Sequence, residues 1–177
     1  MKTSFALALA LALFTAASSL SAAETLVIEG VHNCCKGCEN SIRKAVESVD
    51  GASLSASTKT SATIEVQSKT DGKKVMEALM DVGYYGTIAG VTGASETRNS
   101  AASAMPQKLV SATVTGVHLC CGKCVTAAKA ALADVPGITE NTVASKAKSF
   151  TVKGSFTEAE LVAALHKQGL HGKVKKS

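Results

Sequence analysis

The sequence predicts an α+β fold written twice: two small domains in tandem, joined by a flexible linker. Three observations carry that reading. Residues from 26 onward match residues from 112 onward at a constant offset of 86, without a gap. Within each copy the apolar pattern switches between period two and period 3.6 in the same order. Between the copies, residues 90–107 (GVTGASETRNSAASAMPQ) are rich in Ser, Ala, Gly and Thr and lack apolar periodicity, which reads as a flexible connection. A random coil of that length spans roughly 20–25 Å, enough to let the copies turn toward one another.

The elements follow in order. Thr25-Leu26-Val27-Ile28 and Leu109 to Val114 are short β-branched opening strands. Next comes a helix whose apolar face is Ile42, Ala45, Val46 and Val49 in the first copy and Ala128, Ala131, Leu132 and Val135 in the second. That is the i, i+3, i+4, i+7 spacing. Gly51 and Pro136-Gly137 end these helices. Two alternating strands are expected near residues 53–58 and 62–67, and again near 142–146 and 149–153. A second helix runs from Asp71 to Val82, and its counterpart starts at Thr157 with Glu160 three residues on, the capping-box pattern. A last strand lies near Ile88 and Val174. The order βαββαβ is the ferredoxin-like arrangement. Such a unit has a thin core, to which a bound ion would add stability.

The N-terminus fixes the expected compartment. Lys2 precedes the apolar run Phe5 to Phe14, and TAASSLSAA leads to a cut after Ala23. This is the layout of a cleavable secretory signal peptide over residues 1–23, so a periplasmic or secreted protein is expected. The apolar run is too short to span a bilayer, which takes about 20 residues. The expected boundaries are 24–89 for the first domain, 90–107 for the linker and 108–177 for the second domain. The formal net charge of +5 falls to +4 when Lys2 leaves. Lysines are scattered and Trp is absent, so no nucleic-acid partner is expected. No Ser/His/Asp or paired-carboxylate arrangement occurs, and no enzymatic activity is expected.

All six cysteines fall in two groups of three: Cys34, Cys35, Cys38 and Cys120, Cys121, Cys124. Disulfides stabilise by closing long loops, and three per group leaves an odd thiol in each. Over residues 30–38 six of nine positions are identical between copies, whereas over 39–50 only two of twelve are. The copies diverged where a helix surface tolerates change and kept the cysteines. Cys35-Lys36-Gly37-Cys38 and Cys121-Gly122-Lys123-Cys124 sit where a strand gives way to a helix. The positive end of the helix and the nearby Lys favour thiolate. A two-residue gap puts both sulfurs on one side of the first turn, and soft thiolates select ions such as Cu(I) and Zn(II) over Mg or Ca.

With these residues in place, each half resembles the heavy-metal-associated domain, found in copper chaperones, in the N-terminal extensions of metal-pumping ATPases and in the periplasmic mercury-binding protein. That family places Cys-x-x-Cys after the first strand, an Ile or Val four residues past the second Cys, and Gly plus an apolar residue at the next turn. Ile42 and Gly51-Ala52 match in the first half, and Ala128 and Gly137-Ile138 in the second. The family's helix running into Gly-Tyr is matched by ALMDVGYYG, and less closely by ALHKQGLHG.

The resemblance implies a metal ion held by Cys35 and Cys38 and by Cys121 and Cys124. Cu(I) is the first expectation, with Hg(II) and Zn(II) open. The implied role is chaperone or scavenger, and the implied partner is a metal-transporting membrane protein or another metal-binding domain. The chain departs from the family at Asn33 and Leu119, where Met is usual. Cys34 and Cys120 follow, and His32 and His118 take a usual Gly position. The pattern His-x-Cys-Cys-x-x-Cys adds Cys34 and Cys120 as candidate ligands. His32, His118, Tyr84 and His171 are candidates for the ligand set or its surroundings, while His166 is expected at the helix surface. Two thiolates suit linear Cu(I) or Hg(II), and three with a His suit a tetrahedral zinc-type site. Two rival readings stay open: a thiol–disulfide redox protein, and a non-catalytic interaction module with oxidised cysteines.

Overall fold

A computed structural model describes residues 23–67, 70–89 and 107–176. The expected signal peptide, except Ala23, and the expected linker, except Gln107, lie outside the described residues. In the first half β1 (Ala23–Glu29), α1 (Lys36–Glu47), β2 (Ala52–Ser57), β3 (Ser61–Gln67), α2 (Gly72–Asp81) and β4 (Thr87–Ile88) follow one another. The second half repeats them as β5 (Lys108–Thr115), α3 (Gly122–Ala133), β6 (Ile138–Asn141), β7 (Ser149–Thr157), α4 (Glu158–Lys167) and β8 (Lys173–Lys176). The result is an α+β fold with two four-stranded antiparallel sheets, ordered β2-β3-β1-β4 and β6-β7-β5-β8, and four helices. No helix among the described residues is long and apolar enough to cross a membrane.

Period two places Ala62, Ile64 and Val66 of β3 on the buried side, and the helices close over that face with Ile42, Ala45, Val46, Val75 and Leu79. In the second half the same cavity is filled by different volumes. Ala128 stands at the position of Ile42, and Phe150 at that of Ile64, both fully enclosed. Exchanging large and small partners across an interface conserves core volume.

Two expectations are corrected. The strand expected at 142–146 lies at Ile138–Asn141, because it starts directly after the turn that Pro136-Gly137 imposes. Residues 142–146 form a loop, with Lys146 in the left-handed region at φ 62°. β7 runs on to Thr157, beyond the expected end at 153, and passes straight into α4. Thr157 caps that helix: its Oγ1 accepts from the Glu160 amide at 3.2 Å, and its own amide donates to Glu160 Oε2 at 2.8 Å.

The two halves meet along their last turns. Tyr84 and Leu170 form an antiparallel bridge, and they are equivalent positions under the offset of 86. The Tyr85 amide donates to the Gly169 carbonyl at 3.0 Å, and the His171 amide donates to the Gly83 carbonyl at 2.9 Å. Each bond is the mirror of the other, as in an isologous dimer interface. Gly83 (φ +91°) and Gly169 (φ +68°) permit this approach. A Cβ at Gly83 would run into the Gly116 carbonyl and the His118 amide, and one at Gly169 into the Gly30 carbonyl and the His32 amide. An exposed Lys173–Asp81 pair at 3.1 Å lies at the margin.

Candidate metal centre

Both cysteine loops leave the ends of interior strands, β1 and β5. Each is pinned before the first thiol by a buried Val (Val31, Val117) and by the residue preceding that thiol. Asn33 is buried, with its amide bonded to the Lys59 carbonyl and its side-chain Nδ2 to the Thr58 carbonyl, both at 2.9 Å. Leu119 is buried too, and its carbonyl accepts the Lys146 amide at 2.6 Å. The left-handed turn at Lys146 is what aims that amide. The sequence marks both positions only as departures from a usual Met; their anchoring role depends on loops far along the chain. After the anchor the chain turns into α1 and α3, with Cys35 and Cys121 at the N-cap positions and extended backbone.

The loops face one another, and all six thiols meet. Cys38 and Cys124 are fully buried at the centre, 3.8 Å apart. Within the first half Cys38 lies 3.7 Å from both Cys34 and Cys35. Within the second, Cys124 lies 3.6 Å from Cys120 and 3.9 Å from Cys121. Four more contacts cross between halves at 3.7 Å: Cys34 to Cys121 and Cys124, and Cys120 to Cys35 and Cys38. Adjacent cysteines in extended chain point apart; here that divergence sends Cys34 and Cys120 toward the opposite half. All six cysteines are unpaired thiols.

The other candidates separate into two places. The ligand atoms of His32, Cys34 and Cys124 lie within 4.8 Å of one another, and the buried Nε2 atoms of His32 and His118 have no hydrogen-bond partner. Burial lowers the basicity of both rings, and for His118 the charge of His32 adds to the effect. Tyr84 is fully buried, donates its hydroxyl to the Cys38 carbonyl at 3.5 Å, and stacks on His118 with centroids 4.7 Å apart. His171 is engaged elsewhere: its Nδ1 lies 3.0 Å from His166 Nε2. The surface expectation for His166 is corrected, since its ring is half-buried and lies flat on Tyr85 at 3.5 Å.

Packing six thiols together divides their acidities. Burial pushes Cys34, Cys120 and Cys124 up, in the thiol form. Burial opposes ionisation of Cys38 as well, yet hydrogen bonds from Cys34, Tyr84 and Cys120 outweigh it and hold Cys38 below the usual value. Backbone hydrogen bonds at the start of α3, from Cys124 first, lower Cys121 to about 6. Few negative charges are thus shared through S–H···S contacts, and a thiophilic cation entering the cluster would displace the remaining protons. The donor set is soft, dense and pre-assembled.

Residues 113–171 match the heavy-metal-associated domain, so the second half carries one such domain, and Cys120, Cys121 and Cys124 of the cluster lie within the matched residues. Among solved structures, the N-terminal soluble domains of Bacillus subtilis CopA are similar at 17% identity, covering 88% of this chain and 96% of that one, with a TM-score of 0.31. That superposition is too loose to bear on function. No curated protein matches the chain.

Proposed function

We propose that this chain is an exported heavy-metal-binding protein of the chaperone or scavenger kind, with two heavy-metal-associated domains in tandem and Cu(I) as its cargo. The observation that carries the proposal is the convergence of six reduced thiols, every one within 4 Å of at least two others. Such a set suits a soft ion and offers nothing to Mg or Ca. The repeat at offset 86 supports reading residues 24–89 as a first domain of the same kind, and the N-terminal segment supports export to the periplasm or beyond. The natural recipient is a metal-transporting membrane protein or another domain with a thiol loop.

Anaerobic titration of the reduced mature chain with Cu(I), in the presence of a chromophoric Cu(I) chelator, should show tight binding of about two ions per chain, one for each Cys-x-x-Cys pair. Protein that leaves the chelator fully loaded at every ratio would end the metal-carrier reading.

A further inference from the structure

The geometry points to two three-thiolate Cu(I) sites, each completed by the opposite half: Cys35 and Cys38 with Cys120, and Cys121 and Cys124 with Cys34. This deepens the proposed metal-carrier function and rests on it. The first set closes as an equilateral triangle with all three edges at 3.7 Å. The second closes with edges of 3.7, 3.7 and 3.9 Å. The offset of 86 converts one set into the other, so the arrangement obeys the symmetry of the interface.

Competing assignments fail on spacing. Two further closed triangles exist, Cys38–Cys120–Cys124 and Cys34–Cys38–Cys124. Each shares a sulfur–sulfur edge with one of the proposed sites. Ions centred in edge-sharing triangles of this size would lie roughly 2 Å apart, where like charges repel strongly. Among the triangles with every edge under 4 Å, only the proposed pair uses all six thiols with none shared. The set within the first half, Cys34, Cys35 and Cys38, has two edges of 3.7 Å, both at Cys38, whereas all three edges of the set that crosses over are that short. A planar ion in a 3.7 Å triangle sits about 2.1 Å from each sulfur, and a slight out-of-plane shift reaches the ~2.3 Å typical of a d10 ion on thiolate. The cysteine preceding each Cys-x-x-Cys pair therefore serves the other half's ion.

The test isolates one site in the full chain. With Cys121→Ser/Cys124→Ser as background, one equivalent of Cu(I) is bound by Cys35 and Cys38 plus a third sulfur, which copper K-edge X-ray absorption counts. Adding Cys120→Ser should reduce the sulfur count from three to two and weaken binding at least about tenfold, while adding Cys34→Ser should leave the count at three. The opposite pattern would establish a site within one half and overturn the proposal, as would a count of two before either change. The reciprocal background, Cys35→Ser/Cys38→Ser, should mirror the result with Cys34 now required, and it decides the matter if the first set of variants does not fold. No binding in any variant or in the parent would instead strike the metal-carrier function itself.

Discussion

Cys38 and Cys124 hold equivalent places in the two halves, both fully buried, yet their acidities shift in opposite directions, Cys38 downward and Cys124 upward. Part of the difference comes from one residue on the facing turn. Tyr84 puts a hydroxyl beside Cys38, and the equivalent position in the second half is Leu170, which has no O–H to donate. Burial disfavours a charge unless hydrogen bonds are supplied. A copied motif is thus tuned by residues outside it, and the two loops are not interchangeable chemically although they nearly are in backbone.

The largest test of this comparison removes the contact between halves. Gly83→Val forces a side chain into the Gly116 carbonyl and the His118 amide, at a residue with φ +91°. The strain should cost about 1–3 kcal/mol and part the halves. Hydrogen exchange at the Tyr85 and His171 amides should accelerate, and Cu(I) affinity should fall. Gly169→Val should match it; a much weaker response would show that the halves do not share the interface equally.

A smaller effect follows from exchanging the tuning residue. Tyr84→Phe should raise the pKa of Cys38, making it less acidic, and Leu170→Tyr should lower that of Cys124, each through one hydrogen bond worth about 1 kcal/mol. Alkylation rates of single thiols against pH, read by mass spectrometry on metal-free protein, measure both. Unchanged rates in both variants would mean that Tyr84 only packs.

The smallest expected effect is the part of the acid sensitivity that the His166–His171 pair adds in the second half, beyond that of the buried His32 and His118. His166 is held at about 4, by burial and then by the charge of His171. Burial also lowers His171, with Lys173 adding to this and Asp81 opposing it. The ordinary value for His is 6.5, so the unfolded or parted state takes up a proton first. The stabilising contribution is complete above about 6.5 and is lost as pH falls toward 4. Thermal melts of metal-free protein across that window should show a decline, and His166→Met, which installs the residue found at the equivalent Met80, should make it shallower, with His32, His118 and His171 supplying the rest.

Some of this was legible in the sequence and some was not. The helix faces at Ile42 and Leu132 and the Thr157–Glu160 cap are local signals, and the duplication is read by laying the sequence against itself at an offset of 86. β6 was misplaced because Val143 is buried from a loop, so its apolar character imitated a strand residue. The merging of two cysteine loops into one cluster left no local trace. It depends on Gly83-Tyr84-Tyr85 pairing with Gly169-Leu170-His171, and both segments read alone as ordinary helix-ending turns. The same cause hid His166, whose partner Tyr85 comes from the other half. The signal that was available is the presence of glycine at both 83 and 169, required by close approach of backbone rather than by the turn alone.

The Tyr84–Leu170 bridge joins equivalent positions, and that makes the interface indifferent, in principle, to which chain supplies the second surface. The first half of one molecule presents nearly the same edge to a neighbouring molecule as to its own second half. Exchange of halves between molecules, giving swapped dimers, is then a low-cost competitor to the closed monomer. Covalent tethering opposes it by keeping the partner half at an effective concentration near millimolar. The chain should therefore remain monomeric at ordinary protein levels, and shift to swapped pairs only when concentrated to that range or when the connecting segment is shortened.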